Sequence, residues 1–254
     1  MKVIKKIYNS LKVHWRIKKL PLCWVWHMFG KEVPESLQGF IGFDYTLLDV
    51  IEDHTDSVRS VHISGNILAS GSNDDTIRIY DISDSSNPSN LATITDHTST
   101  VNSAHISGDI LVSGSADNDI RLYDISDPSS PSHLATITDH TGTVHSVHIS
   151  ENILASGSYD DTIRLYDISD PSNPTHLETI TDHTGWVYSV HISGDILSSG
   201  SMDDDIRLYD ISDPSNPTPL ATITDHTSNV LSVHISENIL ASGSTGDEVM
   251  LHDI

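Results

Sequence analysis

One unit of 43 residues recurs along most of the chain, and this repetition limits the fold more than any other sequence feature. The dipeptide Asp-His returns at intervals of 43 residues, with its histidine at His54, His97, His140, His183 and His226. Two successive copies, 139–181 and 182–224, are identical at 34 of 43 positions. A fixed period of this length is typical of propellers and solenoids, in which each unit packs on the next.

Each repeat predicts four short strands. In the third repeat, β-branched and alternating residues predict strands at 143–150, 153–158, 162–168 and 177–181. The proline-containing run 169–175 (SDPSNPT) separates the last two strands, because its composition favours a turn. A four-stranded unit of this kind is a blade that cannot bury both of its faces alone.

The repeat resembles a WD40 repeat. Its Asp-His stands where that family has Gly-His, 154–160 (LASGSYD) matches the family's LASGS-x-D segment, and Tyr166-Asp167 stands where the family has Trp-Asp. The resemblance covers about 45–254 and implies an all-β propeller of four-stranded blades. It also implies that partners bind on one rim, around the mouth of the central channel.

The two ends of the repeat region predict how the ring closes. Segment 48–52 aligns with a fourth strand, 134–138, and Ile254 is the last residue of a third strand. The first three strands and the fourth strand therefore each occur five times. We expect five blades, closed by pairing of 48–52 with the last blade, since closure removes exposed edges. An open arc that dimerises is the alternative.

Each repeat also holds His, Ser, Asp and Tyr at fixed spacing, which resembles a catalytic triad. In WD40 families the matching positions form a hydrogen-bonded structural tetrad, with Trp where this chain has Tyr. Five copies of a structural element are expected in a ring, whereas five copies of one active site are not, so we predict no enzyme. The tetrads are His54/Ser70/Asp74/Tyr80, His97/Ser113/Asp117/Tyr123, His140/Ser156/Asp160/Tyr166 and His183/Ser199/Asp203/Tyr209.

The fifth repeat departs from this pattern. It keeps His226 and Ser242, but Gly246 and His252 replace the aspartate and the tyrosine. We therefore expect blade five to be the least stable.

A second set of histidines occupies the first strand of every repeat. A ring of imidazoles could hold a metal, but no carboxylate or cysteine accompanies them at ligand spacing. We expect packed histidines, and predict neither a metal nor another cofactor. They are His62, His105, His148, His191 and His234.

Three positions vary among otherwise uniform repeats, and we call each set a column. Exposed turns such as Ser-Asp-Pro-Ser hardly change from the second repeat on. Random sequence change in exposed loops therefore explains the variable columns less well than a role in binding a partner does. The first column is Arg59, Asn102, His145, Tyr188 and Leu231; the second is Asn73, Ala116, Tyr159, Met202 and Thr245; the third is Ser57, Thr100, Thr143, Trp186 and Asn229. Tyr159, Trp186, Tyr188 and Met202 predict an aromatic cluster on blades three and four, and exposed aromatic clusters mark binding sites.

Charge separates the N-terminal segment from the repeats. Residues 1–44 carry eight Lys and Arg against three acids, whereas 45–254 carry five Arg against 33 acids. The repeats are thus −28, which disfavours binding of nucleic acid and favours a basic partner. Such acidity is also typical of proteins from a salty cytoplasm, and folding that depends on molar salt would support that habitat.

The N-terminal segment predicts a different structure. Apolar residues at helical spacing in 2–19 predict a basic amphipathic helix, which could lie on an anionic membrane, although an arm packed on the body is favoured. Residues 21–44 are apolar without a clear period and are not assigned. The single Cys23 excludes an internal disulfide, and the uncharged run 20–30 is too short for a membrane span, so we expect a cytoplasmic protein.

Together these features favour a non-enzymatic module that binds a protein or peptide at the rim. The proposed contact residues are Arg59, Asn73, Asn102, His145, Tyr159, Trp186, Tyr188, Met202 and Leu231. The alternative is a structural scaffold or oligomerising protein, anchored through its basic N-terminal arm.

Overall fold

The structure, a computed structural model, describes residues 47–254. The helix predicted at 2–19 and the unassigned segment 21–44 lie outside these residues. From Leu48 to Ile254 the chain forms one compact unit that contains five antiparallel sheets. In this part of the chain no helix is long and apolar enough to cross a membrane.

Successive strands pair with one another, so each sheet is a meander and is one of the predicted blades. Blades one to four have four strands each, and blade five has three. The strands are β1 (Val58–Ser64), β2 (Ile67–Ser72), β3 (Ile77–Asp81), β4 (Ser89–Ile94), β5 (Val101–Ser107), β6 (Ile110–Ser115), β7 (Ile120–Asp124), β8 (Ser132–Ile137), β9 (Val144–Ser150), β10 (Ile153–Ser158), β11 (Ile163–Asp167), β12 (Thr175–Ile180), β13 (Val187–Ser193), β14 (Ile196–Ser201), β15 (Ile206–Asp210), β16 (Thr218–Ile223), β17 (Val230–Ser236), β18 (Ile239–Ser244) and β19 (Val249–Asp253).

The core lies between neighbouring blades. The first strands pack side by side, β1 with β5, β5 with β9, β9 with β13 and β13 with β17, and are therefore the innermost strands. Between blades two and three, Ile120 and Leu122 of β7 join Val144 and Ile149 of β9 in one buried cluster. Each blade thus buries its apolar side chains only when a neighbour is present.

A close contact between valine and glycine joins each pair of neighbouring blades. A methyl group added at Gly157 would lie 2.7 Å from Cγ1 of Val187, so the glycine leaves room for the valine of the next blade. The same distance is 2.6–2.8 Å at the other three junctions, Gly71 with Val101, Gly114 with Val144 and Gly200 with Val230. In the first four blades, the Gly of the LASGS-like segment is therefore required by blade packing.

The predicted closure of the ring is absent from the structure. Segment 48–52 forms no strand, and among the described residues β19 pairs only with β18. The strand β17 does not pack on β1 in the way that β1 packs on β5. The outer faces of both end blades are exposed, with Val61 of blade one 65% and Val249 of blade five 79% exposed. Among the described residues the five blades therefore form an open arc.

Candidate functional site

In blade three, His140 links the loop before β9 to the second strand and the turn after it. Its Nε2 lies 2.7 Å from Oγ of Ser156, and its Nδ1 lies 2.9 Å from Oδ2 of Asp160. The N–H of Thr141 and the hydroxyl of Thr162 also donate to this carboxylate. The same nitrogen–oxygen distances are 2.7–3.1 Å in the other three complete blades. The residues are His54 with Ser70 and Asp74, His97 with Ser113 and Asp117, and His183 with Ser199 and Asp203.

The Ser, His and Asp of each blade are hydrogen-bonded in the same sequence as in a catalytic triad. Unlike a catalytic serine, however, the serine is not accessible to solvent. Ser156 is 0% exposed, as are Ser113 and Ser199, so a substrate in solvent does not reach the hydroxyl. Burial acts to raise the pKa of Asp160, but the hydrogen bond from His140 and its other donors outweigh burial and hold that pKa well below its usual range. The aspartate stays ionised and connects segments of the blade.

The tyrosine of the predicted tetrad forms its hydrogen bond outside the tetrad in blade four. In blade four the hydroxyl of Tyr209 donates to Oδ2 of Asp182, at 3.1 Å, rather than to Ser199. Asp182 directly precedes the tetrad histidine, so the aspartate of each Asp-His pair lies beside the tyrosine position. The remaining tyrosine hydroxyls are buried without a hydrogen-bond partner among the described residues, at Tyr80, Tyr123 and Tyr166.

Blade five retains only part of this set. Nε2 of His226 lies 2.8 Å from Oγ of Ser242, but Gly246 supplies no carboxylate and Nδ1 of His226 is buried without a hydrogen-bond partner in the described residues. His252, at the tyrosine position, lies 3.0 Å from Asp225. The carboxylate nearest to Nδ1 of His226, that of Glu248, is 3.8 Å away, too far for a hydrogen bond. The low stability of blade five stays a prediction, and the missing hydrogen bond supplies a physical reason for it.

The histidines of the first strands lie next to one another in one continuous row, with successive ring planes tilted by 39–54°. Successive ring centroids are 4.0–4.3 Å apart. In the first four rings, Nδ1 accepts a hydrogen bond of 3.2–3.4 Å from the N–H of an isoleucine in the next blade. The row consists of His62, His105, His148, His191 and His234.

These contacts give the row a structural role. Burial, followed by repulsion from neighbouring imidazoles, lowers the pKa of His105 to about 3 and that of His191 to about 4, so both are neutral at pH 7. Their Nδ1 atoms already accept hydrogen bonds. Among residues 47–254, no group of three or more His, Cys, Asp or Glu side chains is placed to hold a metal ion.

The three variable columns meet on one rim of the arc. In every blade, the backbone N–H of the second-column residue donates to the carbonyl of the third-column residue, at 2.8–3.0 Å. This bond joins Tyr159 to Thr143 in blade three and Met202 to Trp186 in blade four. First-column residues lie two positions further along the chain and share this rim.

Four rim residues form a packed aromatic cluster across blades three and four. Tyr159 stacks on Trp186, with centroids 4.1 Å apart and planes 10° apart. His145 also stacks on Tyr159, with centroids 5.4 Å apart. Tyr188 lies edge-on to all three rings, at 5.2–6.4 Å. We call these four residues the rim cluster. Trp186 remains 41% exposed, so the cluster presents an aromatic surface to solvent.

His145 fixes the cluster to the neighbouring blade. Its Nδ1–H donates to the carbonyl oxygen of Tyr188 at 2.8 Å. Burial lowers the pKa of His145, so the ring is neutral at pH 7. With Nδ1 donating, Nε2 carries a lone pair and is a hydrogen-bond acceptor within the aromatic surface.

The other predicted contact residues lie elsewhere on the rim. Arg59 donates from Nε to Oδ1 of Asn73 at 2.5 Å, within blade one. Asn102 donates to the carbonyl of Val144 at 3.1 Å. Met202 and Leu231 are each 44% exposed. The structure thus brings four of the nine predicted residues into direct ring contact.

The family model for the WD domain, G-beta repeat, matches five segments of the chain, residues 45–81, 88–124, 131–167, 174–210 and 217–253. The chain belongs to the WD40 family. No curated protein gives a significant match to it.

Several solved structures resemble this WD40 chain. The computationally designed Ika8 protein is 26% identical, with a TM-score of 0.69 over 80% of this chain and 60% of that chain. The computationally designed Ika4 protein is 26% identical, with a TM-score of 0.57 over 65% of this chain and 97% of that chain. A chain in the crystal structure of the mitotic checkpoint complex is 22% identical, with a TM-score of 0.71 over 80% and 64%. The WD40 chain therefore spans about 60% of the first of these structures.

Sequence reasoning missed two features of these WD40 blades. The hydroxyl of Thr162 donates to Asp160 at 2.6 Å, and the side chain of His145 crosses to the next blade. The first could be suspected from the Asp-x-Thr spacing, which favours a local hydrogen bond. The second had no sequence signal, because a first-column side chain meets a residue 43 positions away only through the curvature of the arc.

Proposed function

We propose that this protein is a non-enzymatic WD40 module that binds a protein or peptide through the rim cluster. The observation that carries the proposal is the stacking of Tyr159 on Trp186, with 41% of Trp186 left exposed. Only blades three and four bear large aromatic residues in the variable columns. An exposed, rigid aromatic surface of this kind provides contact area at a low cost in side-chain entropy.

The shape of the site supports a polypeptide partner over a small molecule. Two clefts, of about 370 and 400 Å³, are lined mainly by third and fourth strands, between blades one and two and between blades four and five. None of the rim cluster residues lines either cleft. The rim cluster presents the exposed part of Trp186 instead, which suits an extended side chain laid across it.

Charge supports a basic partner. Residues 45–254 carry a net charge of −28, which attracts cationic ligands and speeds their association. A lysine or arginine laid on the exposed part of Trp186 would gain a cation–π contact. The buried serines of the tetrads support a role without catalysis.

Selection from a phage-displayed library of random peptides tests this function. We expect the selected peptides to be rich in Arg and Lys, and to bind the double variant Trp186→Ala/Tyr188→Ala at least about tenfold more weakly, a loss of about 1.4 kcal/mol. Thr100→Ala is the matched control, because it changes the third column on blade two, and should bind normally.

Two outcomes would contradict the proposal. Equal affinity for the double variant, with an unchanged melting temperature, would show that the rim cluster is not the binding surface. If the selected peptides lacked basic residues, the proposal that the partner is basic would be wrong.

A further inference from the structure

The contact between successive blades has two sides that differ in chemistry. The valine face consists of three apolar residues on the first strand, and the glycine face consists of a glycine, a serine and a histidine of the preceding blade. Across the junction of blades two and three, the N–H of Val147 donates to Ser103 at 3.1 Å and the N–H of Ile149 donates to His105 at 3.4 Å. The faces there are Val144, Val147 and Ile149 against Gly114, Ser103 and His105.

Blade one has a valine face that no described blade covers. Its residues Val58, Val61 and Ile63 are 50, 65 and 59% exposed, whereas the equivalent residues of blade three are 0, 4 and 3% exposed. The backbone N–H groups of Val61 and Ile63 have no serine or histidine partner among the described residues.

Blade five has the complementary glycine face, also uncovered. A methyl added at Gly243 would meet only Oγ of Ser232, a residue of its own blade. Neither Ser232 nor Nδ1 of His234 accepts a hydrogen bond from a following blade in the described residues. Beside them, Val249 and Leu251 are 79 and 70% exposed, whereas the equivalent Ile163 and Leu165 are 0% exposed.

We propose that blade one of a second copy of this chain docks on blade five of the first, head to tail, through the contact that joins blades within the chain. Val58 of the second copy then fills the space at Gly243. Its Val61 N–H donates to Ser232 and its Ile63 N–H donates to His234. The two faces match residue for residue because they derive from the same repeat, so a second copy fits better than an unrelated partner.

Electrostatics opposes this contact and predicts its salt dependence. Each repeat region carries −28, so two copies repel one another at low ionic strength. The facing side chains are mainly apolar and their attraction is not screened by salt. Association should therefore strengthen as salt rises to about 0.5 M, where the screening length falls to a few ångström.

Sedimentation of the full chain tests the proposal. At protein concentrations of about 5 to 100 µM, we expect a mass that is a multiple of 27.8 kDa and that grows with concentration and salt. Val61→Asp and Gly243→Asp should each reduce association at least about tenfold without lowering the melting temperature, because neither side chain packs against another blade within one copy. Leu220→Asp, a matched change at a residue that is 54% exposed on β16, should associate normally.

Mixing the two variants tests the head-to-tail arrangement. Val61→Asp keeps an intact glycine face and Gly243→Asp keeps an intact valine face, so the mixture should form a complex of two copies although neither variant associates alone. Wild-type chain that stays monomeric throughout would overturn the proposal. Lower melting temperatures of both variants in that monomer would indicate closure within one copy instead, and association unaffected by either variant would place the contact elsewhere.

Discussion

Blades three and five share most of their sequence but differ in their surroundings. Both carry the segment ILASGS in their second strand, at β10 and β18. Blade three lies between two neighbours, and its Ile163 and Leu165 are fully buried. Blade five has one neighbour and three strands, and its Val249 and Leu251 are mostly exposed. The stability of a repeat therefore depends on its contacts with other blades as much as on its own sequence.

The largest difference between the two blades should come from the tetrad histidines. His140→Ala removes hydrogen-bonding partners from the buried Ser156 and from ionised Asp160, and should cost about 3 kcal/mol. His226→Ala removes a partner only from Ser242 and should cost about 1 kcal/mol. Urea unfolding of the two variants measures both values, and equal losses would show that the missing aspartate of blade five is unimportant.

A smaller difference is expected for the junction glycines. Gly157→Ala places a methyl 2.7 Å from Val187 and should cost about 2 kcal/mol, because the valine of the next blade must move. Gly243→Ala meets only a serine hydroxyl and should change stability by less than about 0.5 kcal/mol. Thermal unfolding of dilute protein compares the pair. Similar losses would mean that blade five has a covering partner under those conditions.

A further effect, smaller per pH unit than the two above, concerns the histidine row and appears as a dependence of stability on pH. Burial lowers the pKa of His148 far below 6.5, so below pH 6.5 the unfolded chain binds a proton that the folded chain does not. Stability is then fully present above pH 6.5 and falls by about 1.4 kcal/mol per pH unit for this histidine as the pH drops toward 4. His148→Asn should remove that slope in urea unfolding series.

A steep slope that survives in the His148 variant would assign the acid sensitivity to other groups. The tetrad aspartates should act at lower pH, because their pKa values are lowered and their stabilisation is lost only below about pH 4.

Much of the fold could be predicted because its determinants are local and repeated. The second strand of the third repeat was predicted at 153–158 and lies at Ile153–Ser158. The fourth was predicted at 177–181 but lies at Thr175–Ile180, since pairing with β11 begins earlier than the apolar pattern indicates. The grouping of the variable columns on one rim likewise follows from their positions at the ends of paired strands.

Closure and the tyrosine partner could not be predicted, because both depend on geometry between distant segments. The sequence of 48–52 does resemble a fourth strand. Whether it can pair with blade five depends on the angle between successive blades, which the sequence does not give. The hydroxyl of Tyr209 has Asp182 and Ser199 within the same blade, and only coordinates show that it bonds to the aspartate. The parallel rings of Tyr159 and Trp186 were predicted as neighbours but not as a stack.

The valine–glycine contact also has a genetic consequence. Since every junction uses the same contact, loss of one repeat from the gene, such as 139–181, would join blade two to blade four without a change of packing residues. The shortened chain would keep its core and lose Tyr159 and His145 from its surface. Duplication would add a surface segment just as simply. Recombination between near-identical repeats can thus alter the residues on the rim while the residues that join the blades stay the same.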